Sequence, residues 1–292
     1  MVVPLNFGGL DKTFSDYKKA RFVVVPVPYE KTTTYGKGTA KGPDAIIEAS
    51  RNMELYDEEL DCNTAELGIA TLAPVVVDDA PEVLVEKLRS TCLAVLKDRK
   101  FPVVLGGEHS ISLGVLLAVK DFYKDVSVLQ FDAHADLRDE YEGSKYSHAC
   151  VMRRIREHAP AVQAGIRSFS DEEVSVVKKE KENIFFAAEM HEEDRTEEIV
   201  SRLGKNVFIT FDVDAFDPAI MASTGTPEPG GLGWYDAIGI IRRVSEEKNI
   251  VGFDAVELAP NPSTAAPDFT VAKLVYRTMG YVGRSFLSRK TQ

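Results

Sequence analysis

The chain predicts an α/β fold: a three-layer α/β/α sandwich around a mainly parallel sheet, with residues 1–292 as a single domain. Three observations carry this expectation. Strand-like and helix-like segments alternate from one end to the other, which implies right-handed crossovers and parallel pairing. Several strand-like runs are nearly continuous in Val, Ile, Leu and Phe, as expected when helices cover both sheet faces. No repeat, low-complexity tract, Gly/Ser linker or composition break divides the 292 residues, although length alone allows one or two domains.

Taken in order, strands are expected at 22–27, 102–105, 126–131, 161–166, 183–186, 207–211 and 250–256. Helical patterns are expected at 43–50, 79–97, 110–120, 149–158, 193–203, 234–247 and 269–282. The 79–97 segment opens with an Asp79…Glu82 capping-box pattern and repeats Leu84, Leu88 and Val95 on one side.

Four of the hydrophobic runs end in acids or histidines: Gly106-Gly107-Glu108-His109-Ser110, Asp132-Ala133-His134-Ala135-Asp136, Asp212-Val213-Asp214 and Asp254-Ala255-Val256-Glu257. Residues i and i+2 of a strand share a face, so Asp132/His134/Asp136 and Asp212/Asp214 are each expected to aim as a set. In open parallel sheets ligands sit at the carboxyl ends of the strands, so these distant groups should converge on one edge. A lone His or Asp at such an end is ordinarily a cap. Six of them in three groups, with no Lys to balance the charge, would be very costly to bury without a cation. Four carboxylates and two imidazoles exceed what one ion needs, so two divalent ions are expected, with carboxylates shared between them. Oxygen-rich ligands without thiolate favour manganese or a similar hard ion.

Composition excludes other functions. Lys+Arg 35 against Asp+Glu 46 gives a net charge of -11, which argues against a nucleic-acid or anionic-membrane partner. The three cysteines, Cys62, Cys92 and Cys150, are scattered without a CxxC pair, which suits a reducing compartment and excludes a thiolate zinc site. Met1 to Leu10 lacks a basic head and a long apolar core, and no apolar run approaches the roughly 20 residues that span a bilayer. A cytoplasmic protein is expected.

Together, Gly-Gly-Glu-His-Ser, Asp-Ala-His-Ala-Asp, Phe-Asp-Val-Asp-Ala-Phe-Asp-Pro at 211–218 and Gly-Thr-Pro-Glu-Pro-Gly-Gly at 225–231 resemble the ureohydrolase (arginase/agmatinase) family. Gly165-Ile166-Arg167-Ser168 and the Pro28-Tyr29…Gly36-Lys37-Gly38…Gly42-Pro43 stretch extend the resemblance over about residues 22–282. It implies an eight-stranded parallel sheet and a binuclear manganese centre, two Mn2+ per subunit. His109 would ligate the first ion with Asp136, and His134 the second with Asp214. Asp132 and Asp212 would bridge the two. Glu108 stands where arginases carry Asp, as in agmatinase-like members.

A guanidinium carbon is a poor electrophile, because its charge is spread over three nitrogens. Two cations that acidify bound water and deliver hydroxide answer that difficulty. By resemblance Glu257 would hold the guanidinium through paired hydrogen bonds, and His148 would shuttle protons. Asp136 would also hydrogen-bond the tetrahedral intermediate. His158 and His191 read as solvated, and a nucleophilic Cys150 would be redundant beside a hydroxide.

Arginases carry an asparagine two residues after the DxHxD motif and a Ser-Gly-Asn-(Leu)-His segment. Here Arg138 and Gly143-Ser144-Lys145-Tyr146-Ser147-His148 stand in those places. Hydrolysis of agmatine to putrescine and urea is therefore expected. Guanidinobutyrase, arginase and formimidoylglutamase activities are the alternatives, and Arg138 and Lys145 would suit an acidic tail if both face the pocket. A deacetylase-like relative would use one zinc on two Asp and one His, which the complete two-ion set speaks against. A catalytically silent metal-binding partner protein would be expected to have lost ligands. By resemblance a homo-oligomer, trimer or hexamer, is expected.

Overall fold

The computed structural model describes residues 5–287. Its strands are β1 (Phe22–Val27), β2 (Tyr56–Asp57), β3 (Cys62–Asn63), β4 (Ile69–Thr71), β5 (Phe101–Gly106), β6 (Val126–Phe131), β7 (Ala161–Ile166), β8 (Ile184–Phe186), β9 (Asn206–Asp212) and β10 (Asn249–Val256). Eight of them form one sheet in the order β4-β1-β5-β10-β9-β6-β7-β8, and every pairing in it is parallel. The expected sandwich is present. The seven expected strands sit within a residue of their positions, but β4 and the small β2–β3 hairpin carry no sequence signal of their own. At two or three residues each, they are too short to show a period.

Period two decides which face each side chain takes. Phe22 and Val24 of β1 join one core with Val103, Leu105, Phe131, Phe211 and Phe253. Val23, Val25 and Val27 join the opposite core with Val104, Val128 and Phe208. The first core is roofed by the helices Gly42–Ser50, Thr196–Arg202, Trp234–Glu247 and Ala266–Leu287. The second is roofed by Pro81–Lys97, Ser112–Phe122 and Val151–Arg156. Pro26 is tolerated within β1 because β4 pairs only as far as Val24, which leaves Pro26 on an edge where no ladder donor is needed.

The capping box expected at Asp79 is absent. That helix starts at Pro81 after an extended Ala80, with no side-chain cap. A proline disfavours helical backbone in the residue before it and itself suits the first helical position, so the boundary moves past Asp79. Among the described residues no helix is long and apolar enough to cross a membrane.

Topology gathers the site. β5, β10, β9 and β6 are the four central, adjacent strands, and they carry the four acid- or histidine-tipped ends. β10 comes last in sequence yet inserts between β5 and β9. Glu257 thereby arrives between His109 and Asp212.

Candidate metal centre and substrate pocket

The six expected ligands come together at the carboxyl edge of the sheet. His109 opens a 3-10 turn just after β5, where Gly107 is required: a Cβ there would lie 1.9 Å from the Tyr29 carbonyl oxygen. The His109 Nδ1 faces Asp132 Oδ2 at 3.1 Å, Asp136 Oδ2 at 3.2 Å and Asp212 Oδ2 at 3.4 Å. His134 Nδ1 lies 2.9 Å from Asp214 Oδ2 and 3.6 Å from Asp132 Oδ1. The ligand atoms therefore form two groups, His109/Asp132/Asp212 and Asp132/His134/Asp214, with Asp132 common to both. Asp136 stands with the first group through His109. Asp212 also stands with the first group, and its other carboxylate oxygen accepts from the Asp214 amide beside the second.

The groups converge for a different reason from strand alternation. β6 ends at Phe131 and β9 at Asp212, so His134, Asp136 and Asp214 lie beyond the pleat. Asp136 adopts a left-handed φ of 51°, and its carbonyl accepts from the Met152 and Arg153 amides. Asp214 sits in a 3-10 turn capped by the Asp212 side chain, which accepts from the Asp214 amide. The Ala133 amide donates to Asp214 Oδ1 at 3.0 Å. Glu257 is left-handed as well, with φ 67°. Such backbone costs of order 1–3 kcal/mol for a non-glycine residue and persists only where surrounding contacts demand it.

Second partners orient the ligands. Thr210 Oγ1 contacts His109 Nε2 at 2.9 Å, which directs Nδ1 toward the carboxylates. Gln130 donates to Asp132 Oδ2 at 2.6 Å, and Gln163 in turn donates to Gln130 and to the Ala135 carbonyl. These residues were missed in the sequence. Their signal was available: Gln130 and Thr210 are polar residues inside hydrophobic strands, each two before an aspartate.

The electrostatics are those of carboxylates crowded around two imidazoles. His109 Nδ1 is fully buried and makes no hydrogen bond of ordinary geometry, although three carboxylates surround it. Burial opposes charge on both rings, but the neighbouring aspartates prevail: His109 is held well above its ordinary value and His134 is raised to about 12. Burial, then the Asp132 charge, pushes Asp136 up to about 7. Burial and its aspartate neighbours also drive Asp212 well above the carboxylate range. Asp132 resists burial because both imidazoles flank it, and it falls below that range. Two protons on imidazoles are thus set against four aspartates. Two hard divalent cations fit this donor set, and no cysteine takes part in it.

Glu257 is 7% exposed and its Oε1 accepts from the His109 amide at 2.7 Å. Burial, then the nearby Glu108 charge, raises its pKa well above the ordinary value. Glu108, noted in the sequence only as a variation, is an anchor. Its buried carboxylate accepts from the Lys31 and Thr32 amides at 2.6 Å, the Thr32 hydroxyl at 2.7 Å and the Ser110 hydroxyl at 2.6 Å. It pins the loop that cradles His148: Thr32 Oγ1 is 3.2 Å from Nδ1, and Thr34 Oγ1 is 3.0 Å from Nε2. Because the Thr32 hydroxyl proton goes to Glu108, the hydrogen-bond network assigns the ring proton to Nδ1 and leaves Nε2 as acceptor. Burial, then positive charge on His109 and His134, lowers His148 to about 4, so the ring is neutral near pH 7.

A cavity of about 320 Å³ opens over the cluster, lined by His134, Asp136, Asp212, Asp214, His148 and Glu257. Arg138 and Glu173 line it as well. Arg138 lies 3.3 Å from Glu172, 4.0 Å from Glu173 and over the Tyr141 ring at 5.0 Å. Lys145 is absent from the lining and faces Asp139 at 3.8 Å. His191, expected to be merely solvated, is exposed but brings Nε2 within 3.2 Å of the Gly230 carbonyl.

Known proteins share this architecture. A structure of agmatine ureohydrolase from Thermoplasma volcanium superposes with a TM-score of 0.88 at 31% identity, covering 98% of this chain and 96% of that one. The N(1)-aminopropylagmatine ureohydrolase of Synechocystis is 41% identical across 94% of this chain and 93% of its own length. The agmatinase of Pyrococcus horikoshii is 35% identical across 92% and 94%. The Arginase family model matches residues 20–280. On the fold, the cluster and these likenesses together, the chain belongs to the Arginase family.

Proposed function

We propose that this hydrolase cleaves the terminal guanidinium of an aminoalkyl guanidine, agmatine being the reference substrate, to release urea and the corresponding amine (putrescine from agmatine). The observation that carries the reading is the pair of ligand groups sharing Asp132, with Glu257 beside them in the cavity floor. His109 and Asp136 would hold one Mn2+, His134 and Asp214 the other, with Asp132 and Asp212 between them. When bound, the ions supply Lewis acidity and an activated water.

The chain's own residues do the rest. Glu257 is a buried carboxylate short of a counter-charge, and a substrate guanidinium supplies one while its planar donors fix the carbon over the cluster. Asp136, at the cavity floor, is placed to accept a hydrogen bond from the tetrahedral adduct. His148, neutral and with Nε2 as its accepting nitrogen beside the Thr34 hydroxyl, carries a proton between the pocket and the leaving amine. The net reaction adds water across one C–N bond.

A cationic tail suits this lining better than an acidic one, because the one arginine in it is paired. Arg138 lines the cavity but faces Glu172 and Glu173, and Lys145 is absent from the lining. Glu173 stands in the lining with its carboxylate accepting from the Leu137 and Ser170 amides and the Ser170 hydroxyl. This argues against guanidinobutyrate and formiminoglutamate. N1-aminopropylagmatine, with an additional amine in its tail, is the second reading, favoured by the names of relatives 41% and 39% identical to this chain. A homo-oligomer in the cytoplasm accompanies both readings.

The test is urea release by manganese-loaded protein across agmatine, N1-aminopropylagmatine, arginine, guanidinobutyrate and formiminoglutamate. Turnover should be fastest on the two amines. Neither urea nor formamide from any of the five, with two ions bound, would overturn the assignment.

A further inference from the structure

The Gly165-Ile166-Arg167-Ser168 motif has no part in the chemistry above, yet its arginine makes an unusual set of contacts. Arg167 Nη2 donates to the carbonyls of Asp214 at 2.7 Å, Glu228 at 2.8 Å and Phe216 at 3.3 Å. Nη1 reaches Gly165 at 3.0 Å and Ala215 at 3.5 Å, and Nε reaches Pro229 at 3.1 Å and Glu228 at 3.2 Å. All are backbone oxygens. Among the described residues no carboxylate oxygen lies within ion-pairing distance of this guanidinium. A half-buried arginine normally gains most from a carboxylate partner. Here the fork is spent on peptide groups, and one side chain serves as a knot between segments.

The segments it joins are specific. The Asp214–Phe216 turn carries one expected ligand of the second ion. The Arg167 and Ser168 amides donate to the Ala133 carbonyl at 2.8 and 2.9 Å, and Ser168 forms a bridge with His134, the other expected ligand. Glu228 and Pro229 belong to the loop whose Gly225 and Thr226 line the cavity. Ser168 Oγ also donates to Glu228 Oε1 at 3.1 Å. Packing admits no slack: a Cβ on Gly231 would lie 2.7 Å from Arg167 Nη2. The first group is anchored elsewhere, by Thr210 on His109 Nε2 and Glu257 on the His109 amide.

We propose that Arg167 is a positioning residue that couples the His134–Asp214 half of the metal centre to the 225–231 wall of the substrate pocket. Second-ion binding and substrate-tail binding then depend on one side chain, while the His109 half does not. The proposal rests on the two-ion reading. A lysine in its place keeps the charge but offers a point donor instead of a planar fork, so Asp214 and the 228–229 carbonyls cannot all be held.

Arg167→Lys and Arg167→Gln should be compared with the parent in metal-free form by Mn2+ titration, with ion content and the electron paramagnetic resonance of coupled and isolated Mn2+ as readouts. The parent should bind two ions. In Arg167→Lys the first ion should bind as before and the second about 10- to 100-fold more weakly, so the coupled-pair signal gives way to that of isolated Mn2+. At saturating Mn2+, KM for agmatine should rise while kcat stays nearly unchanged. Arg167→Gln should behave likewise; if it does not fold, Arg167→Lys alone decides. Unchanged second-ion affinity, equal loss of both ions, or a weakened second ion with unchanged KM would each overturn the coupling. A parent protein that binds fewer than two ions would instead overturn the two-ion reading itself.

Discussion

The two halves of the cluster use the same residue types and share Asp132, yet they differ in depth. The His109 side chain has no exposure, whereas that of His134 is 25% exposed. His109 is held from the sheet interior: Thr210 of β9 grips its ring, and Ser112 stands behind Thr210 at 3.1 Å. His134 belongs to irregular backbone facing the cavity and is held by loop-to-loop contacts through Ala133, Ser168 and Arg167. One half is therefore a product of the fold's core, and the other of the loops that line the cavity. A buried, prepositioned site exchanges its ion slowly, while an open one can meet water and substrate. Stepwise chelation should remove the His134-side ion first.

Breaking the shared element gives the largest effect. Asp132→Asn should lower activity by roughly 10³-fold or more, the range in which a preorganised electrostatic centre is lost, and leave less than one ion per chain by elemental analysis. Retention of two ions would deny Asp132 its common role. Next is Glu257→Gln, which should cut kcat by roughly 10²- to 10³-fold with metal content unchanged. Full activity would remove Glu257 from the mechanism. For His148→Asn a drop in kcat of about 10²-fold is expected, partly reversed by imidazole buffer, and an unchanged kcat would refute the shuttle.

Acid sharpens the comparison further. In the metal-free chain the aspartates keep His109 well above its ordinary value and raise His134 to about 12. Both rings thus carry protons that an ion must displace. Binding releases protons, so Mn2+ affinity should fall as pH falls from 8 to 6, by about tenfold per pH unit for each proton displaced. Isothermal titration in two buffers of different ionisation enthalpy counts those protons, and a pH-independent affinity would contradict the charge assignment. The smallest effect is expected at the rim. Lys145→Ala should change kcat/KM for agmatine by less than about twofold, because its partner is the solvent-facing Asp139. A large change would place Lys145 in the substrate path after all.

Much of the site was legible because its chemistry is written in short, contiguous strings. Gly-Gly-Glu-His and Asp-Ala-His-Ala-Asp follow strand patterns long enough to show a period, so ligand types and the edge they occupy could be read together. The reasons for their convergence could not. Strand alternation predicts a common face for Asp132/His134/Asp136, but the chain leaves the strand at Phe131 and aims Asp136 through a left-handed turn. The role of Glu108 also depended on Lys31 and Thr32, more than 70 residues earlier. Arg167 stood inside a recognised motif without a task until its carbonyl partners were adjacent to it.

By itself the sequence determined the layered α/β architecture, the acidic and histidine-tipped strand ends and the need for cations among them. Local period and the cost of buried charge depend on residue type and short spacing alone. Tertiary structure decided that β10 enters between β5 and β9, that Asp132 stands in both ligand groups, and that one half of the cluster is sealed while the other opens to the cavity. Those outcomes depend on which distant segments meet, and crossover order and long-range hydrogen bonding leave no local trace in the chain.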